Sequence, residues 1–76
     1  MEPPSYISKA LVESCYCTEG NYSTVTVLSV GNKILISFDS EIYLKTFGSV
    51  GKEVVVQISQ RMMHGKSEEV VIDVLS

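Results

Sequence analysis

Thr24-Val25-Thr26-Val27-Leu28-Ser29-Val30-Gly31-Asn32-Lys33-Ile34-Leu35-Ile36-Ser37-Phe38 is the stretch that decides the fold. Thr24 to Val27 alternate hydroxyl and aliphatic side chains, the period-two pattern of a half-buried strand. Gly31-Asn32 is a two-residue turn signal. Beyond it Ile34, Ile36 and Phe38 alternate with Lys33, Leu35 and Ser37. The two segments predict a hairpin with Val25, Val27, Ile34, Ile36 and Phe38 toward the core. Thr24, Thr26, Lys33, Leu35 and Ser37 then face outward, and a one-residue slip would exchange the two sets. Leu28 breaks the alternation, which predicts a bulge near Ser29.

Upstream, Tyr6 to Thr18 is rich in β-branched and aromatic residues and reads as a long first strand, ended by Glu19-Gly20-Asn21. Its register is open: Leu11 and Cys15 compete with Ala10, Val12 and Tyr16 for the core. With Tyr22 to Val30 and Lys33 to Phe38 it forms a β-meander. Downstream, Asp39 is a helix N-cap and Glu41 suits the first turn of a helix. Ile42 and Phe47 then pack inward with Leu44 or Tyr43 between them, and Gly48 ends the helix. A further short strand is the alternative for this segment. Glu53 to Gln60 is a strand with Val54, Val56 and Ile58 on one face. Arg61 to Ser67 reads as a loop, and Glu68 to Leu75 as a last strand with Val70, Ile72 and Val74 on the core face. The domain plan is a tail over 1–5 and one domain over 6–76. Five strands in 76 residues are too few for an ordinary sandwich, and closing the sheet into a small all-β barrel removes exposed edges.

A long first strand, the Gly31-Asn32 turn, a connector from Asp39 to Phe47 and a Val50-Gly51-Lys52 entry into the fourth strand resemble the OB-fold over about Tyr6 to Leu75. The helix between the third and fourth strands separates this order from SH3-like barrels. The resemblance implies an OB-like barrel that binds single-stranded nucleic acid or oligosaccharide, or serves in a replication or transcription assembly. Within that superfamily the acidic, compact character and the Phe38-Asp39 junction are similar to the small OB-type subunit of archaeal and eukaryotic RNA polymerases. No functional residue is carried over from it.

Composition narrows the function classes. Six Lys and Arg stand against nine Asp and Glu, giving a net charge of −3 and a pI of about 4.9. Proteins whose whole surface meets phosphate backbones are basic, so this balance leans toward a protein partner. No run approaches the ~18 apolar residues of a membrane span. Met1-Glu2-Pro3-Pro4 reads as an extended tail with no signal peptide, so a cytoplasmic protein without a membrane partner is expected. Asn21-Tyr22-Ser23 matches a glycosylation sequon, without the secretion signal that would give it meaning. Cys15 and Cys17 share one strand face, and a disulfide between them would be strained. With His64, the one histidine, they supply only three ligand types at spacings unlike structural zinc. No nucleophile–base–orienter set and no phosphate loop stands out. The chain is therefore expected to be no enzyme and to need no metal or cofactor.

The candidate contacts follow. A protein partner would meet Leu35 and Val55 on the outer strand face, and Met62 or Met63 in the loop from Arg61 to Lys66. Direct binding of single-stranded DNA or RNA is the alternative. It would use Lys33, Arg61, His64 and Lys66 toward phosphate and Tyr16 and Tyr22 for stacking. A homo-oligomer is the third reading, since the outer face offers Leu35, Val55, Val71 and Leu75.

Overall fold

A computed structural model describes residues 4–18, 20 and 23–76, excluding the side chain of Met63. The elements are β1 (Ser5–Thr18), β2 (Ser23–Val30), β3 (Lys33–Ser37), α1 (Ser40–Thr46), β4 (Glu53–Met63) and β5 (Lys66–Val74), with a 3-10 turn at Phe47–Ser49. The sheet order is β3-β2-β1-β4-β5, and every neighbouring pair is antiparallel. The sheet curls into a nearly closed barrel, with the short helix between the third and fourth strands. This is the all-β, five-stranded architecture expected from the sequence.

β1 organises the barrel. Its first half pairs with β4 from Ser5 to Leu11, and its second half pairs with β2 from Leu11 to Thr18. The register slips between Val12 and Ser14, beside the point where the two partners meet. A bulge bends a strand and increases its twist, so Glu13 turns β1 from one half of the barrel to the other. The bulge expected near Ser29 of β2 therefore sits across the ladder on β1. A second slip, between Gln57 and Ile58 of β4, leaves Ile72 as the extra residue on β5. Val71 and Val74 are buried in consequence, where Val70, Ile72 and Val74 were expected.

The core is Ala10, Val12, Leu28, Ile42, Val54, Val56, Ile58, Val71 and Val74, with Cys15, Val30 and Leu35 packed against it. On β1 the core face is thus Ala10, Val12 and Cys15, while Leu11 and Tyr16 are exposed. α1 is capped as expected: Glu41 N–H donates to Asp39 Oδ1 at 2.8 Å. Its inward residues are Ile42 and Thr46, one turn apart. Phe47 does not pack inward. It is exposed and stacks on Tyr43, with ring centroids 5.8 Å apart.

The hairpin of β2 and β3 takes the slipped register. Leu28 pairs with Leu35 and Thr26 with Ser37, and these four face inward, Leu28 and Thr26 fully buried and Ser37 nearly so. Ile34, Ile36 and Phe38 are 59%, 53% and 72% exposed. The physical reason lies at Thr46. Its hydroxyl donates to Ile42 O at 2.7 Å and meets Thr26 Oγ1 at 3.3 Å and Cys15 Sγ at 3.4 Å. A buried hydroxyl needs partners, and Thr26 supplies one only when the even-numbered side of β2 faces the core.

The segment from Arg61 to Ser67 is not a loop. β4 and β5 run on to a two-residue turn at His64-Gly65, where φ is +54 and +76. Two positive φ values mark the hairpin turn whose twist matches its strands, and histidine tolerates that region better than most residues. At the other end β1 starts at Ser5, and Gln60 N–H donates to Pro4 O at 3.1 Å. The chain is thus tied to β4 from Pro4 onward, inside the tail expected over 1–5. Residues 1–3 of that tail lie outside the described residues.

Candidate docking groove

Five antiparallel strands in a ring leave the two end strands parallel to each other. β3 and β5 are those ends, and among the described residues no ladder joins them. The turn geometry fixes which backbone groups face the gap. Residues flanking a two-residue turn exchange hydrogen bonds, and bonded pairs alternate along the ladder. Val30 and Lys33 flank the first turn, so Lys33, Leu35 and Ser37 bond to β2. The N–H and C=O groups of Ile34 and Ile36 point into the gap. By the same count Lys66, Glu68 and Val70 bond to β4, and Ser67, Glu69 and Val71 turn theirs toward β3.

A groove of about 910 Å³ follows this gap. Every residue from Lys33 to Asp39 and from Ser67 to Ile72 lines it, together with Gln60 and Arg61. Side chains alternate between faces, so unbroken lining means that the strand edges themselves form its walls. Ile34, Ile36 and Phe38 stand at one lip. Edges that are exposed and apolar are rare in free proteins, because they recruit other chains.

Two side-chain ties hold the gap. Glu69 accepts hydrogen bonds from Lys33 Nζ and from the Tyr6 hydroxyl, linking β5 to β3 and to the start of β1. At the other end Lys45 Nζ on α1 meets Asp73 Oδ1 of β5 at 2.8 Å. Lys33, then Tyr6, holds the Glu69 carboxyl below its ordinary 4.5, and the Glu69 bond raises the Tyr6 phenol above 10.0. Lys45 likewise holds Asp73 below 3.8.

A depressed carboxyl pKa gives stability that is complete above the unfolded value and lost as pH falls through the folded one. Glu69→Gln should therefore flatten the acid end of the profile. Melting temperature should fall less between about pH 6 and about pH 3 than it does in the wild type. Equal slopes would remove Glu69 from the set of groups that couple folding to acid.

The expected site residues distribute as follows. Leu35 packs against the core, so its expected role as an outward contact passes to its neighbours Ile34 and Ile36. Val55 is half-buried, and its backbone pairs with the C-terminal residues: Val55 N–H donates to Ser76 O at 3.0 Å, and Leu75 N–H to Val55 O at 2.7 Å. Met62 is 72% exposed, on β4 beside Arg61. Met63 also lies on β4, its side chain outside the description. Tyr16 is exposed on the outer side of β1, opposite Val25. Tyr22 lies outside the described residues. Arg61, His64 and Lys66 are exposed on the hairpin of β4 and β5, whereas Lys33 is tied to Glu69 at the gap. Among the described residues no three His, Cys, Asp or Glu side chains gather as a metal site. No described helix is long and apolar enough to cross a membrane.

Ile34, Ile36, Phe38 and Glu69 line the groove and Tyr6 is bonded to Glu69, and the sequence reading assigned none of these five to a site. The available signal was the run Ile34-Leu35-Ile36, apolar on both faces of one strand.

No family model, curated protein or solved structure matches this chain.

Proposed function

We propose that this chain is a non-catalytic binding module, a small OB-type subunit of a nucleic-acid-processing assembly in transcription or replication, acting in the cytoplasm through protein contacts. The observation that carries the reading is the exposed apolar lip of Ile34, Ile36 and Phe38 along the groove. Aliphatic side chains at that density suit a protein surface, while the lysine closest to them is already neutralised by Glu69. The strand order and the helix after β3 agree with the OB-type resemblance. Both cysteines are free, as a reducing compartment requires.

Ile36→Glu is the direct test. The side chain is solvated, so folding stability should stay within about 0.5 kcal/mol of wild type. Proteins that co-purify with the tagged wild-type chain should be lost from the variant. Identical co-purifying proteins from wild type and variant would sink the assignment of this face.

Tyr16 and Phe38 are both exposed aromatics, and this favours a second reading, direct binding of single-stranded DNA or RNA with Arg61, His64 and Lys66 toward phosphate. Fluorescence anisotropy of labelled oligonucleotides would decide it. Affinity falling steeply with added salt supports the second reading, and no binding at low salt removes it.

A further inference from the structure

We propose that a second copy of this chain covers the outer face of β1, β2 and β3, the two sheets packing face to face about a two-fold axis. This rests on the reading of Ile34, Ile36 and Phe38 as a protein-contact surface and names the partner. The ladders set Leu11, Ser29 and Ile34 in one row across the three strands. Ser14, Val27 and Ile36 form the next row. Between the two rows lies the inward row of Val12, Leu28 and Leu35, so both stand on the outer face. Beyond them Tyr16 pairs with Val25, which is buried yet lies outside the core cluster. Phe38 prolongs the line of Ile34 and Ile36. Neither row holds a charge. The outer face of an antiparallel sheet is ordinarily polar, and this chain has six Lys and Arg and nine Asp and Glu to place. Charge enters only at the β1 border, with Glu13 in the bulge and Glu53 opposite Leu11.

Composition, charge and area select a second copy as the cover. Contacts between separable, different proteins are about as apolar as ordinary surface, whereas homodimer contacts are more apolar and keep charge out of their centre. Each copy carries a net charge of −3, so two copies repel wherever their acids meet. Apposing the uncharged rows brings no like charges together at the centre. Leu11, Tyr16, Ile34, Ile36 and Phe38 are each between 36% and 72% exposed. At about 200 Å² for a full residue of this size, the five offer roughly 500 Å² of apolar surface. The residues between them and the polar border extend this toward the roughly 800 Å² per partner of a stable pair. Two copies of one sheet also share one twist, which lets them stack with strands nearly aligned. A nucleic-acid strand would find no cation in these rows, since Lys33 lies on the inward side and is bonded to Glu69.

Sedimentation equilibrium of the full chain is the test. The chain should sediment at twice its 8.4 kDa mass, with a dissociation constant in the micromolar range or tighter. Ile36→Glu puts a charge in the middle of the face and should raise that constant by at least about thirtyfold, with the far-ultraviolet circular dichroism spectrum unchanged. Ile7→Glu, at an exposed position on the half of β1 that pairs with β4, should sediment as wild type does. A measurement on the wild type alone locates the contact. In NMR spectra a soluble paramagnetic agent should broaden the methyl signals of Ile7 and spare those of Ile34 and Ile36. A chain still monomeric at about 0.5 mM overturns the proposal, since contacts of this size bind in the micromolar range or tighter. So does a dimer that Ile36→Glu leaves intact, or one in which the Ile34 and Ile36 methyls broaden as those of Ile7 do. If the chain is monomeric while Ile36→Glu still loses its co-purifying proteins, self-pairing fails and the docking face stands. If Ile36→Glu breaks the dimer and every other co-purifying protein is retained, self-pairing stands and the face serves no other partner.

Discussion

Leu28→Ala should lower the unfolding free energy by about 2–5 kcal/mol. Leu28 is wholly buried and belongs to the central cluster with Val12, Ile42, Val56 and Ile58. It pairs across the ladder with Val12 on one side and Leu35 on the other. All three backbones are held by antiparallel bonds, so the site has little freedom to collapse around the missing atoms. The loss therefore combines the transfer term with most of the cavity term. At about 0.05–0.15 kcal/mol per residue a chain of this length holds only about 4–11 kcal/mol in total. The substitution removes a large part of that. Urea unfolding should show a lower midpoint at unchanged slope. A loss under about 1 kcal/mol would mean that the barrel relaxes into the gap, contrary to the packing described.

Thr46→Val should cost about 1–3 kcal/mol, although it changes neither size nor shape much. The Thr46 hydroxyl has one proton and two lone pairs. Its proton goes to Ile42 O, and its lone pairs face Thr26 Oγ1 and Cys15 Sγ. Both threonines are fully buried, so valine leaves the Thr26 hydroxyl without that partner. The S–H of Cys15 is a weak donor, and Cys15→Ala should lose less on the hydrogen-bond side. Calorimetry separates the cases: Thr46→Ser should melt closer to wild type than Thr46→Val does. If valine melts at or above wild type, the cluster contributes nothing and the facing of β2 has another cause.

The sequence made the element order readable because each strand is bounded by its own punctuation. Gly31-Asn32, the Asp39 cap and Val50-Gly51-Lys52 each fall at a real boundary. The facing of β3 was not readable. Ile34, Leu35 and Ile36 are all aliphatic, so alternation alone offers two registers of nearly equal merit. The choice depends on Thr46, which lies nine residues beyond Ser37 and acts only once α1 has docked. The hairpin of β4 and β5 was hidden for another reason. His64-Gly65 is an uncommon turn pair, and the charged and methionine-rich stretch around it reads as a loop until the ladder is seen. The bulge in β1 lies where its two partner strands meet, which no local window contains. The groove was hidden for the same reason, since its lip is the face that the alternation assigned to the core.

Glu69 also bears on the order of events in folding. Tyr6 lies at the start of the chain and Glu69 near its end, and Lys33 sits between them. Contacts so distant in sequence carry the largest loop-closure entropy, so they tend to form late. Interactions absent from the transition state govern the rate of escape from the native state and leave the rate of reaching it alone. The carboxylate that ties β5 to β3 and to the start of β1 is then a brake on opening more than an aid to assembly.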